Sequence, residues 1–189
     1  VPTSAYMQNR KKWGRPQGIV FSDNPGTLQD NLYIPTGTEW EDFIILSDHN
    51  RSPISLSQQR IENRARMING NMRSYFTADK VSLDTSWTRL PSRAFSEDPE
   101  FSVAGKITNA NAELHTADNG AGGADILEWY ESHPGPFWVF LSYDKFGEGN
   151  MARYTQALHM YFISFTNEVE TRGDNLYDMW NISFSLEEV

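Results

Sequence analysis

The sequence predicts a mainly β fold: an antiparallel β-sandwich or barrel with one packed α-helix at about 124–132, an extended N-terminal arm and a long central loop. Three observations predict it. Trp180, Ile182, Phe184 and Leu186 alternate without a miss against Asn181, Ser183 and Ser185, the period of a strand with one buried face. Asn69-Gly70 separates two extended runs, a strong hairpin signal because both residues tolerate positive φ. Only the segment ADILEWYES at 124–132 has a firm helical pattern. Ile126, Leu127, Trp129 and Tyr130 share a face, and Pro134-Gly135-Pro136 forbids continuation.

In chain order, residues 1–38 are broken by Gly14, Pro16, Gly18, Pro25, Gly26, Pro35 and Gly37, which reads as an arm with one short strand at 18–22. A single β domain is expected over 39–189. Its first strand is the apolar run WEDFIIL at 40–46. Residues 54–68 contain good helix formers, but Pro53 before them and Asn69-Gly70 after them favour a long strand with an irregularity. Its partner is the aromatic run 72–76. A separate half-buried strand follows at 81–87, stopped by Leu90-Pro91. Residues 96–123 hold few large apolar groups and read as a long loop, with a weak element near 101–103. Beyond the helix, FWVFLSY at 137–143 is a core strand, 158–170 a long strand, and 180–186 the terminal one. The expected core includes Trp87, Trp129, Phe140, Trp180, Ile182 and Phe184.

Aromatic residues make up 13% of the 189, enough for a sizeable core and against general disorder. There are no cysteines, which excludes disulfides, thiolate metal sites and cysteine nucleophiles. The longest apolar run, 137–141, is far too short to span a membrane. The first residues lack the charged-then-apolar layout of a secretion signal. Net charge is −9, and its distribution is uneven. Residues 1–22 carry +4, 23–50 carry −6, 51–96 carry +5 and 97–189 carry −12. Alternating blocks allow one surface of a subunit to complement another surface of its neighbour. The assembly candidates are therefore the basic residues Arg10, Lys11, Lys12, Arg15, Arg60, Arg64, Arg66 and Arg73.

Catalytic motifs are missing. His49, His115, His133 and His159 have no partner at metal-ligand spacing. Neither a nucleophile elbow nor a P-loop occurs. Gly120-Ala121-Gly122-Gly123 precedes the helix, but Asp125 and Glu128 would repel a phosphate there. The basic stretch has only Tyr75 and Phe76 for base stacking, and the acidic chain opposes tight DNA binding. No cofactor is expected.

Four segments resemble the tail tube proteins of tailed bacteriophages. They are RMINGNMRSYF at 66–76 followed by ADK at 78–80, SWTRLPSR at 86–93, GGADILEWY at 122–130, and RG at 172–173 with DMWNISFSLEE at 178–188. The resemblance covers roughly 50–189. It implies a non-enzymatic virion protein, made in the host cytoplasm and similar in fold to type VI secretion tube proteins. Its subunits would form rings, commonly of six, stacked head to tail. Inner strands would join into a barrel whose acidic lumen passes genomic DNA without specific binding. Partners would be further copies of the chain and other tail proteins. One departure is the basic block 51–96, which would spoil an acidic lining if it faced inward. Other phage tail roles, such as a distal-tail, baseplate or minor tail protein, fit the same segments. A carbohydrate-binding β-sandwich using Trp and Tyr as sugar platforms is the reading from another class.

Overall fold

The computed structural model describes residues 18–37, 41–94, 115–118, 120–141, 154–172 and 177–189. Nine strands and one helix lie among them: β1 (Ile19–Ser22), β2 (Thr27–Gln29), β3 (Leu32–Ile34), β4 (Phe43–Ile45), β5 (Ser55–Arg66), β6 (Met72–Pro91), α1 (Gly123–Ser132), β7 (Phe137–Leu141), β8 (Gln156–Thr171) and β9 (Met179–Glu188). Seven strands form one sheet in the order β4-β1-β7-β8-β9-β6-β5, and β2 with β3 forms a small second sheet. Every pairing between these strands is antiparallel, and tight turns join β2 to β3 and β5 to β6.

The large sheet is rolled. Five strand spacings separate β4 from β6, about 24 Å in a flat sheet. Yet Trp87 on β6 donates its indole N–H to the carbonyl of Ser47, just past β4, at 2.7 Å. Ser47 in turn donates to Asp118 Oδ1 at 2.6 Å, and the N–H of Asp48 donates to Asp118 Oδ2 at 2.7 Å. These bonds tie the two flanks together around one core. In it Phe21 from β1 meets Phe184 from β9 with ring centroids 5.5 Å apart.

β1 is buried on both faces. Ile19 and Phe21 enter the main core, while Val20 joins Phe43, Ile45, Phe140 and Tyr154 in a second cluster. Tyr33 of the β2–β3 hairpin packs against that second cluster. The hairpin turns on Asp30 and Asn31, both at positive φ, the two-residue turn whose twist suits antiparallel strands. An arm reaching residue 38 is therefore corrected. β1 pairs with β4 and β7 inside the domain's own sheet, because four consecutive buried residues suit a strand covered on both faces.

Other expectations shift. The strands expected at 72–76 and 81–87 are one strand, because Ala78, Asp79 and Lys80 stay paired with Ile61, Arg60 and Gln59. A bulge at Thr77 absorbs the extra residue; the irregularity expected in this hairpin lies there. The strand ends at Leu90-Pro91 as expected, with those two residues still paired. A second irregularity, with Arg89 at φ +53°, lets Leu90 and Pro91 pair with Trp180 and Met179. The hairpin turn forms over 67–71. Gly70 at φ +84° supplies the positive φ, and Asn69 instead accepts the N–H of Asn71 on its side chain. The end of the expected long loop is core: Ala121, Asp118 and Thr116 are buried. Most of that loop, the weak element at 101–103 and the basic residues at 10–15 lie outside the described residues. Trp87, Trp129, Phe140, Ile182 and Phe184 are buried; Trp180 is half buried, its side chain packed over Gly123 at the start of α1.

Candidate assembly surface

β9 ends opposite Ser82 and Val81. Below that level β6 has β5 as its only strand partner among the described residues, so residues 72–81 and their β5 partners form a two-stranded overhang of about 33 Å. Two-stranded ribbons are marginally stable in water. This one also exposes large apolar side chains: Met72 at 57%, Tyr75 at 60% and Phe76 at 59%, with Ile68 at the tip fully exposed.

The register separates the two faces of the hairpin. Leu56 and Leu83 point into the core, and the same face continues outward through Arg60 with Asp79, then Glu62 with Phe76, and Arg64 with Ser74. Arg60 Nε donates to Asp79 Oδ1 at 2.9 Å, and its guanidinium lies 5.6 Å over the Phe76 ring. Glu62 accepts from both Arg64 and Ser74. The hydrogen bond from Arg60 holds the Asp79 carboxyl below its ordinary range, and those from Arg64 and Ser74 do the same for Glu62. Of the four arginines expected to assemble subunits here, Arg60, Arg64 and Arg66 share this face. Arg73, paired with Ala65, is on the other.

The opposite face carries hydroxyls. Ser55, Asp84, Ser185 and Ser164 lie side by side across β5, β6, β9 and β8. One row farther, Ser86, Ser183 and Thr166 align in the same way. Ser57 and Ser82 bond to each other at 2.6 Å, and Ser185 bonds Asp84. This serine face was only partly visible in the sequence, as the polar half of the alternation at 181–185. Its other members sit on strands whose neighbours the sequence does not reveal.

Among the described residues, the edges without a strand partner include the outer edge of β5, the side of β6 facing away from β5 below Ser82, and β8 beyond Met160, where β7 has already ended.

At the far end of β6 the start of α1 packs against Pro91 and Ser92. Gly120 and Gly122 are required there: a Cβ on either would sit 2.5–2.6 Å from backbone atoms of Pro91 or Ser47. Asp125 accepts the N–H groups of Gly122 and Ala94 and pairs with Arg93 at 2.9 Å, so its carboxylate fills the position a phosphate would need. Burial pushes the Asp125 carboxyl up despite these bonds, whereas Arg93 holds the more exposed Glu128 down. Between α1 and β4 opens a cleft of about 670 Å³, lined by Glu41, Ile44, Glu128, Trp129, Glu131 and His133 among others.

The four histidines all have local roles. His49 accepts the Ala117 N–H, His115 packs on Tyr177, His133 meets Asp23 at 2.8 Å, and His159 stacks on Trp138. No group of metal-binding side chains occurs among the described residues, and no described helix is long and apolar enough to cross a membrane. Set against known proteins, the chain matches no family model and resembles no curated protein significantly.

Proposed function

We propose that the protein is a structural virion protein, a tail tube subunit of a tailed bacteriophage, whose copies join edge to edge into rings that stack into a DNA channel. The observation that carries this reading is the pair of free edges on β5 and on β8 beyond Met160, at opposite sides of the run β8-β9-β6-β5 within the seven-stranded sheet. Adjacent strands alternate in direction across β8, β9, β6 and β5. With four strands per copy, β5 of one subunit runs antiparallel to β8 of the next, and the alternation continues around the ring.

The two edges are also staggered. The middle of the free part of β8 is level with Ser86, and the middle of β5 is level with Asp79. Seven residues at about 3.3 Å, set against four spacings of about 4.8 Å, give a strand tilt of roughly 50°. Closed barrels need such a shear, with tilts of about 35–45°. Six copies would supply 24 strands and a wall about 37 Å across before tilt widens it.

Such a ring has two faces. The core and α1 occupy one, where Tyr130 stacks on Phe165 at 4.6 Å. That bulk belongs outside, which leaves the serine face to line the channel. Arg60, Arg64 and Arg66 then point away from the lumen, which reduces the conflict that a basic block posed for an acidic lining, while Arg73 and Lys80 stay on the serine face. Hydroxyls with Asp84, Glu168 and Glu187 would let a polyanion slide past without being held.

A ring without stacking would suit a distal-tail or baseplate component. For a sugar-binding module, Trp87 and Trp129 are core residues and the exposed platforms would be Tyr75, Tyr130 and Tyr161. Electron microscopy of the purified protein tests the reading. Rings or tubes are expected, and a protein that stays monomeric at high concentration would overturn it.

A further inference from the structure

We infer that the β5–β6 tip of one copy seats in the acidic cleft between α1 and β4 of a second copy. This rests on the proposed stacking and gives it a specific contact. The tip presents Met67, Ile68 and Met72 to solvent, between Arg66 and Arg73. Neither arginine has an ion pair among the described residues. The cleft is complementary. Ile44 and Trp129 form a buried apolar floor, while Glu41, Glu128 and Glu131 are exposed around it. Arg93 already engages Glu128, but Glu41 and Glu131 have no cationic partner among the described residues.

The exposed turn over 67–71 carries Ile68, whose fully exposed apolar side chain would meet the floor of the cleft.

Tip and cleft cannot meet within one molecule. The tip precedes the first residue of β6, while α1 begins against the last, where the Ala124 N–H donates to the Ser92 carbonyl at 2.7 Å. The twenty residues of β6 span about 65 Å. A tip-in-cleft contact therefore joins unlike surfaces head to tail, the kind of contact that can repeat along a stack.

The chain has no cysteine, so introduced thiols report without background. One copy carries Ile68→Cys and another Ser132→Cys at the rim of the cleft; the two are mixed and mildly oxidised. Because a disulfide needs Cα atoms within about 7 Å, a mixed dimer is expected from this pair. Little should form from Ile68→Cys with Ser183→Cys on the serine face. Adding Arg66→Glu and Arg73→Glu should slow cross-linking about tenfold, and Glu41→Arg with Glu131→Arg in the second copy should restore it. Cross-linking no faster than the serine-face control would overturn the contact. Micrographs of the same samples separate the two ideas. Tubes without the cross-link would leave the tube reading standing and reject the tip contact. A cross-linked chain of subunits that never forms rings would do the reverse.

Discussion

β1 and the outer half of the β5–β6 hairpin belong to one sheet but obey different physics. β1 is four residues long, buried throughout, and held by strands on both sides. The hairpin's β5 has twelve residues, nearly all of them solvent-facing, and a partner on one side only. β6 runs through both settings, exposed at Met72 and buried at Leu83 and Trp87. The contrast separates two uses of a strand. Where both faces are covered, burial of apolar area holds the fold together. In the overhang the same backbone ladder is extended into water, which is stable only as a platform for something else.

The largest test of that contrast is a pair of truncations. Trp87→Ala removes a buried indole that packs on Phe184 with centroids 5.4 Å apart and bonds the Ser47 carbonyl. The expected loss is about 3–5 kcal/mol in chemical denaturation. Phe76→Ala, of similar bulk but in the overhang, should change monomer stability by less than about 0.5 kcal/mol. Equal losses would mean that the hairpin is packed in the monomer and that the two regions are not distinct. Trp180→Ala falls between them, since Trp180 is only half buried.

A glycine pair sharpens the same comparison at smaller cost. Gly122→Ala forces a methyl group to 2.5 Å from the Pro91 carbonyl oxygen and 2.7 Å from the Arg93 nitrogen, where backbone must move. A loss of about 1–3 kcal/mol is expected, as for overpacking elsewhere. At Gly70 nothing lies within 4 Å, and only the positive φ opposes a side chain. Gly70→Ala should therefore cost about 1 kcal/mol, confined to the hairpin. Thermal melts of the two variants would reveal a reversed order.

Much of this was legible beforehand, for reasons that differ by element. The terminal strand and α1 could be read because each has one buried face, and periodicity records that face directly. β1 was assigned to an arm because four apolar residues among glycines and prolines have no period, and burial on both faces leaves none. The turn at Asp30-Asn31 lacks the glycine that marks most such turns. β6 was split at residues 77–80 because an exposed ribbon places no apolar demand on its sequence, so pairing there shows only in three dimensions. The arginines stand out by charge counting, but their division between faces depends on the hairpin register that sets Arg73 opposite Ala65.

Acid should separate the regions most finely. In the hairpin, hydrogen bonds from Arg60 hold Asp79 down, and those from Arg64 and Ser74 hold Glu62 down. A depressed carboxyl stabilises the folded form above its unfolded value, near pH 4, and that contribution is lost as pH falls through the folded value. Both hairpin groups act in this direction. In the body the signs oppose. Glu128, lowered by Arg93, behaves like the hairpin pair. Asp125, raised by burial, takes up its proton first in the folded state, so acidification through that range favours folding. The expected result is that amide resonances of 60–78 shift and broaden as pH falls below about 4, while those of β1 and β7 hold their positions. Salt should act in the same direction on the hairpin, since its pairs are exposed and screened over about 8 Å. Replacing Arg60 and Arg64 by Gln should reproduce the acid state of the hairpin at neutral pH. If β1 and β7 respond at the same pH as the hairpin, the overhang is coupled to the body, and the ion pairs are not what order it.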